Sequence, residues 1–192
     1  MADYKLYIGI LAVTIEIISY VIYFWGIHQG KTKPHAFTWF FWGTANIVAY
    51  LAILFSGGGA GAWVFGINAI CCYLISIIGF RQKHVIYDTY DWWSLFGALF
   101  GIFLWLLTRN PLYAVILVSL ADVISIIPTL RKAYNFPFEE NLFSFSVGIL
   151  YYPLSILALG SLSLTTWLYP ATVIVLDSAL VILILIRRKK FK

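Results

Sequence analysis

The sequence predicts an all-α membrane protein with seven transmembrane helices, in which two parallel three-helix repeats are joined by a linker helix. Three observations predict it: the composition, the spacing of the apolar runs and the distribution of the basic residues. Of the 192 residues, 62% are hydrophobic and 11% are charged, whereas a soluble domain has roughly 45–50% and about 25%. So few polar residues cannot cover a water-facing surface, and we expect lipid around the chain.

Seven apolar runs approach the roughly 20 residues that a helix needs to cross the hydrocarbon core of a bilayer. Short gaps rich in glycine, proline and charged residues separate them. The predicted spans are 5–27, 37–56, 60–80, 92–108, 111–131, 141–160 and 164–186.

The basic residues alternate from gap to gap. If the N-terminus lies outside, eleven of the 13 Lys and Arg residues fall in inside gaps or in the C-terminal tail, and only Lys5 and Arg109 fall outside. Because inside loops carry an excess of Lys and Arg, this distribution predicts an outside N-terminus, an inside C-terminus and an odd number of spans. The basic residues form no continuous patch, so we expect no nucleic-acid partner.

The two halves of the sequence show a related pattern. Glu16 and Ser19 correspond to Asp122 and Ser125, and a basic loop containing a proline follows in each half. One extra span between two triplets gives both the same orientation, and transporters with such parallel repeats bind their substrate between them at mid-depth. The predicted divisions are a first repeat at 1–86, a linker helix at 87–109, and a second repeat with the basic tail at 110–192.

Two stretches carry a resemblance to a known family. In Lys31–Leu54 a basic loop leads into an aromatic-rich span that contains a small polar residue, Asn46. This resembles the second-helix region of the SWEET and PQ-loop superfamily. The run Ile126–Lys132, with Pro128 and a basic exit, resembles the first helix of a repeat in that superfamily, although Thr129 stands where the family has glutamine. The resemblance implies a 3+1+3 arrangement of helices that serves either a carrier or a non-transporting receptor.

Three acidic residues, Glu16, Asp122 and Asp177, lie inside predicted spans, and no Lys or Arg lies inside any span to pair with them. Intramembrane acids are costly and are usually functional. A carboxyl group whose protonation changes with its exposure can couple transport to a proton. We therefore take Glu16 and Asp122, which correspond across the repeats, as candidates for proton coupling; neutral acids hydrogen-bonded between helices are the alternative.

The resemblance also implies a substrate site. In SWEET carriers the third helix of each repeat presents a polar side chain to the substrate, and Asn68 and Asp177 lie in those helices here. The acidity of Asp177 would suit an amine-bearing substrate or a proton-coupled step better than simple sugar diffusion. The remaining predicted site residues are Tyr20 with Trp42 or Trp105 as aromatic walls, Asn46 as a polar contact, and Pro128 and Pro153 as hinges.

Helical spacing predicts which side chains face the protein interior. The polar faces expected inside are Glu16, Ser19, Tyr20 and Tyr23 on one helix, and Ser119, Asp122, Ser125 and Pro128 on another. The tryptophans near span ends are expected in the interfacial belts: Trp25, Trp39, Trp63, Trp92, Trp93 and Trp167. Cys71 and Cys72 are adjacent in an apolar run, and we expect both to act as small hydrophobic residues.

The leading functional hypothesis is a secondary transporter for a small polar molecule, sugar-like or amine-bearing, that works by alternating access with a proton-coupled step. The alternative is a ligand-binding receptor, like the KDEL receptor, that does not transport. A retinal photoreceptor is excluded because the last span lacks a lysine for the Schiff base. A channel is disfavoured because no acidic ring or Gly-rich re-entrant segment is evident.

An enzyme is not expected, because no cluster of His, Cys and Glu has metal-ligand spacing and no nucleophile has an evident base partner. We accordingly expect no catalytic residue, no metal and no cofactor. The expected partners are membrane lipid and a small-molecule substrate, and homo-oligomerisation stays open. The expected location is the plasma membrane or a cell inner membrane.

Overall fold

The computed structural model describes residues 3–81, the single positions 89, 93, 96, 100 and 103, and residues 107–190. Over the continuous stretches the chain forms six α-helices and one short 3-10 helix, as an all-α class predicts. These elements are α1 (Asp3–His28), α2 (Ala36–Phe55), the 3-10 helix (Gly59–Ala62), α3 (Trp63–Phe80), α4 (Pro111–Asn135), α5 (Leu142–Leu157) and α6 (Leu164–Lys190). Most of the predicted linker helix at 87–109, including Trp105, lies outside the described residues.

Among the residues that the structure describes, five helical segments are long and apolar enough to cross a bilayer: α1, α2, α3 together with the 3-10 helix, α4 and α6. Their outer surfaces are apolar, with exposed side chains such as Val21, Ile70 and Ile182. The protein is therefore an integral, multi-pass membrane protein. Helix α5 has 16 residues and is shorter than the predicted span 141–160, so at 1.5 Å per residue it covers about 24 Å of a hydrocarbon core about 30 Å thick.

Local sequence signals set where several helices begin. The side chain of Asn110 accepts a hydrogen bond from Leu112 N, and Pro111 occupies the first turn of α4. Asn141 likewise caps α5 by accepting from Ser144 N. Side-chain oxygens of this kind satisfy amide groups that the first helical turn leaves unpaired, and proline is well placed there because it has no amide hydrogen.

The helices pack in a regular order. Helix α3 packs against both α1 and α2, whose backbones do not approach one another, and α6 packs in the same way against α4 and α5. Between the triplets, α1 packs against α5 and α2 packs against α4. The bundle therefore consists of two triplets with the same internal order, which contact each other mainly through their first two helices and more lightly through α2 with α6 and α3 with α5.

Glycine residues allow close backbone contact at one end of the bundle, which we call the glycine end. Here the 3-10 helix lies against the C-terminal end of α5, where Ser155 Oγ donates to Gly61 O at 3.1 Å. Gly160 N donates to Gly58 O at 3.0 Å. A Cβ atom on Gly61 would lie 2.6 Å from Ser155 O, so a glycine is required for this approach.

Ion pairs connect the triplets at the opposite end, which we call the basic end. Lys33, in the loop between α1 and α2, pairs with Glu139, in the loop between α4 and α5. Lys132 pairs with Glu140 at 2.7 Å and donates to the main-chain oxygen of Lys33. Arg188, near the end of α6, donates to Glu140 O at 2.8 Å.

Glu140 provides a pH-dependent test of the basic end. Burial raises the pKa of Glu140, and the neighbouring Lys132 ammonium opposes that rise. A folded-state pKa above the unfolded value of about 4.3 means that Glu140 contributes stability at low pH and loses it as the pH rises through its folded-state pKa. Between pH 4 and pH 8, we expect wild type to lose about 2–4 °C in Tm relative to Glu140→Gln, which corresponds to about 1 kcal/mol.

Thermal denaturation in detergent at several pH values measures this difference. Glu139→Gln is the matched control, because its ion pair with Lys33 is more exposed and such pairs contribute little. A Tm difference between wild type and Glu140→Gln that does not change with pH, or that changes in the opposite direction, would contradict the prediction.

Candidate functional site

A cavity lies between the two triplets, and all six described α-helices contribute to its wall. The volume open to the centre of a water-sized sphere is about 60 Å³. Because one water needs roughly 10–15 Å³ by this measure, the cavity has room for several waters or a small solute. The residues that line it are Ser19, Tyr20, Tyr23, Trp39, Trp42, Asn46, Asn68, Cys72, Asp122, Ile126, Ser144, Phe145, Tyr151, Tyr152, Tyr169, Val173, Leu176 and Asp177.

The cavity reaches from the middle of the bundle towards the basic end. On that side the wall is formed by residues from the second half of α1 and from the first two turns of α2 and the first turn of α5. On the other side, the Phe65 ring packs 5.9 Å from Tyr152 and 5.7 Å from Tyr169, measured between ring centroids. These rings and the close backbone contacts of the glycine end separate the cavity from the bundle surface at that end.

The Asn68 side chain connects three elements at the centre of the cavity. Its Oδ1 accepts hydrogen bonds from Tyr20 Oη at 2.8 Å and from Cys72 Sγ at 3.0 Å. Its Nδ2 donates to Tyr152 Oη at 2.7 Å. Because α1, α3 and α5 meet through this one amide, its orientation is fixed by contacts from both triplets.

Glu16 lies behind Asn68 and is not part of the cavity wall. It is 0% exposed, and its carboxyl group lies beside the Asn68 side chain. Among the described residues, no donor reaches either carboxyl oxygen with full hydrogen-bond geometry. The acid is thus separated from the cavity by one side chain, and Asn68 is the link between them.

Asp122 belongs to a second polar group, on the α2–α4 side of the cavity. Trp42 Nε1 donates to Ser125 Oγ at 3.1 Å. The same hydroxyl lies 2.9 Å from Asp122 O and 3.1 Å from Asp122 Oδ1. Since Ser125 accepts from the indole and donates towards Asp122, it orients both a wall tryptophan and a cavity carboxyl group.

Asp177 reaches the cavity from α6 through a space left by a glycine. A Cβ atom on Gly148 would lie 2.5 Å from Asp177 Oδ2, so the missing side chain on α5 makes room for the carboxyl group. Asp122 lines the same cavity, so two acids from the second triplet face it.

Aromatic rings form much of the remaining wall. The centroids of Trp39 and Trp42 lie 5.1 Å apart with the ring planes at 80°, and Tyr23 lies 4.8 Å from Trp39. Phe145 from the opposite triplet lies 6.4 Å from Trp42. Such edge-to-face and tilted contacts are the arrangements that aromatic rings prefer, so the wall is rigid without being tightly filled.

The structure brings most of the predicted site residues together. All five predicted substrate-binding residues line the one cavity, as does Asp122: Tyr20, Trp42, Asn46, Asn68, Asp122 and Asp177. Glu16 lies one side chain away. The two predicted hinges, Pro128 and Pro153, stand inside α4 and α5, which continue as helices through them, and neither lines the cavity.

One expectation from the sequence is wrong and another is incomplete. Trp39, expected in an interfacial belt, is only 7% exposed and lines the cavity, because the aromatic-rich turn of α2 packs against Tyr23. Cys72 is buried in a hydrophobic cluster, as expected of a small hydrophobic residue, but it also donates a hydrogen bond to Asn68. Its position four residues after Asn68 places both on one face of α3, which is the signal that could have identified it.

Several lining residues were not anticipated, notably Ser144, Tyr151, Tyr152 and Tyr169. The adjacent tyrosines at 151 and 152 stand in an apolar run, and buried tyrosine hydroxyls usually find a hydrogen-bond partner. That rule would have flagged them as facing other helices. It would not have identified Asn68 as the partner of Tyr152.

Comparison of the chain with protein-family models, with curated proteins and with solved structures finds no match to any of them.

Proposed function

We propose that the protein is a secondary transporter for a small polar molecule and works by alternating access between the two triplets. The observation that carries this proposal is the cavity between the triplets, which combines Asn68 from the first with Asp122 and Asp177 from the second. A concave site with a few convergent polar groups in an otherwise apolar wall is typical of small-molecule sites. Its location inside a membrane bundle favours movement of that molecule across the bilayer.

The packing order supports two parallel repeats. Exchanging α1 with α4, α2 with α5 and α3 with α6 leaves the list of contacting helix pairs unchanged. That is the pattern expected of two repeats related by a pseudo-twofold axis, and the meeting of the α1–α2 and α4–α5 loops at the basic end favours an axis along the membrane normal. In our proposal the span at 92–108 crosses the membrane once between the triplets, so that both triplets start from the same side. Helix α5 crosses as a short span. The chain then has seven spans with an outside N-terminus.

Alternating access requires contacts between the triplets to break in turn at the two ends of the cavity. At the basic end those contacts are ion pairs and hydrogen bonds between loops, such as Lys33 with Glu139, which water can replace. At the glycine end they are close backbone contacts around Gly61. We propose that the basic end separates by exchanging these polar contacts and that the glycine end separates as a rigid surface.

Proton coupling is the finer part of the proposal. Glu16 and Asp122 lie in α1 and α4, the corresponding first helices of the two triplets, and both are buried. Asp122 accepts from Ser125, which in turn accepts from the cavity residue Trp42, and Glu16 lies beside the cavity residue Asn68. A change in protonation at Asp122 would therefore alter a hydrogen bond next to the cavity wall, and a change at Glu16 would alter the charge beside Asn68.

Uptake into proteoliposomes tests the proposal. A broad panel of radiolabelled sugars, amines and amino acids is offered with and without a pH gradient. We expect at least one solute to enter saturably, and Asp177→Asn to reduce its initial rate at least 10-fold. Ser76→Ala, which removes a hydrogen bond outside the cavity, is the control that should retain uptake. If no solute moves and Asp177→Asn changes no measured property, the proposal fails.

Gly148→Ala separates the position of the Asp177 carboxyl from its charge. The added methyl group occupies the place of Oδ2, so the acid must rotate away while the bundle keeps the same charge. Because the atom that must move is the end of a side chain, we expect a Tm within a few degrees of wild type and an uptake rate reduced about 10-fold. Gly66→Ala, which meets only the Tyr50 ring at 3.3 Å, should retain uptake, and equal rates for the two variants would refute this role.

A receptor that binds without transport is the second candidate. The observation that favours it is the small volume of the cavity, about 60 Å³, with aromatic rings packed on two sides. Saturable binding to the purified protein, combined with no flux of the same ligand in proteoliposomes, would identify a receptor.

A further inference from the structure

We propose that the cavity selects a small organic cation, an amine or a quaternary ammonium compound, over a neutral sugar. This inference rests on the proposed function of the same cavity as a solute-binding site, and it names the chemical class of the solute. Three features of the wall support it: its acidic side chains, an unpaired hydrogen-bond acceptor, and the arrangement of its aromatic rings.

The charges near the cavity are all of one sign. Asp122 and Asp177 line the wall, and Glu16 stands directly behind Asn68. None of the described lining residues is Lys, Arg or His. Ionised carboxylates taken out of water need a positive partner, and no side chain of the described wall supplies one. A cationic ligand would supply it.

The wall also presents an acceptor that no described residue satisfies. Asn46 is 3% exposed; its Nδ2 is used by Trp42 O at 2.8 Å, while its Oδ1 has no hydrogen-bond partner in the part of the chain that the structure describes. The donors beside it are already engaged, since Trp42 Nε1 bonds to Ser125 and Tyr20 Oη bonds to Asn68.

The acceptors of the wall match an ammonium group. Such a group offers up to three donors and no acceptor, so it suits the oxygens of Asn46, Asp122 and Asp177, which line the cavity. A sugar could bond to the unpaired hydroxyl of Tyr23, but it carries no charge to pair with the two acids. The acids of the wall therefore favour a cation over a neutral sugar.

The aromatic rings of the cavity wall also suit an organic cation. Trp39 and Trp42 meet at 80° with their centroids 5.1 Å apart, so they form two sides of a corner. Phe145 adds a third side, 6.4 Å from Trp42. The faces of tryptophan, tyrosine and phenylalanine attract cations, and aromatic cages are a common means of binding quaternary ammonium groups. A methylated ammonium group fits such a corner even though it has no N–H to donate.

Ligand binding to the detergent-purified full-length protein tests the inference, with the change in tryptophan fluorescence as the readout. The decisive pair is choline and 3,3-dimethyl-1-butanol, which have the same shape and differ in charge. Tetramethylammonium, putrescine and glucose complete the panel. We expect at least one cation to bind, choline to bind at least 10-fold tighter than its neutral analogue, and glucose not to compete. In Asp177→Asn the choline preference should fall at least 10-fold, while Glu139→Gln should leave it unchanged.

The comparison of choline with its neutral analogue uses only the wild-type protein, so it does not depend on whether any variant folds. Equal or tighter binding of the neutral analogue, competition by glucose, or failure of every cation to bind would each overturn the inference.

Flux measurements distinguish failure of the inference from failure of the proposed function. A cation that binds tightly but does not cross proteoliposome membranes supports the inference and contradicts transport. A neutral solute that is transported, with no preference for cations, supports transport and contradicts the inference.

Discussion

Replacing Asn68 with leucine is expected to reduce ligand binding and uptake more than 100-fold, the largest functional effect of any single change in this chain. Leucine has a similar volume, so the packing of α3 is retained. The amide, however, bonds to Tyr20 and Tyr152 and accepts from Cys72. Without it, two tyrosine hydroxyls and one thiol lose their common partner, and Glu16 loses its link to the cavity.

The stability of Asn68→Leu should fall much less than its function. Interhelical hydrogen bonds in membrane proteins contribute on average about 0.6 kcal/mol each, so the loss of the two that connect α3 to α1 and α5 predicts about 1 kcal/mol. Ser76→Ala is the control on the same helix. It removes the bond from Ser76 Oγ to Ala36 O, which lies outside the cavity, and it should retain binding. Normal binding by Asn68→Leu would show that the amide serves packing alone.

Replacing Gly61 with alanine is expected to give the largest loss of stability, about 3 kcal/mol. The new Cβ atom would lie 2.6 Å from Ser155 O and 2.9 Å from Leu159 N. Both are backbone atoms, so they cannot move away without separating the 3-10 helix from α5. Overpacking of this kind typically costs about 1–3 kcal/mol, and we place Gly61 at the upper end because no side-chain rotation relieves it.

Thermal denaturation in detergent measures this loss, which corresponds to a decrease in Tm of about 6–12 °C. Gly66→Ala is the matched control. Its Cβ atom meets only the Tyr50 ring, and alanine has the higher helix propensity, so its Tm should stay close to that of wild type. If Gly61→Ala is as stable as Gly66→Ala, the close contact at the glycine end is not required by the fold.

Much of the helical architecture can be predicted from the sequence, because a lipid environment restricts where polar side chains and backbone groups can lie. Apolar length predicted the helices that begin near Asp3, Ala36 and Pro111 to within a few residues. Helical spacing placed Glu16 and Tyr23 on one buried face of α1, and both are buried. These predictions succeed because a polar group in a span must avoid lipid, whichever partner it finds.

The partners themselves could not be predicted. Periodicity indicates that Asn68 and Tyr152 both face the interior, but their contact depends on how two helices cross. The depth of Trp39 was misjudged for the same reason, since sequence distance from a span end does not give burial. Helix α5 ends earlier than its apolar run predicts, because residues 158–163 turn back against the 3-10 helix.

Counterflow in proteoliposomes tests the central claim, that the cavity between the triplets is the path of a transported solute. Vesicles loaded with an unlabelled solute are placed in a low concentration of the same solute carrying a radiolabel. A carrier accumulates label transiently above its equilibrium value, and we predict such an overshoot for wild type and its loss in Asn68→Leu and Asp177→Asn. Monotonic equilibration, or no entry of any solute that binds, would contradict the account.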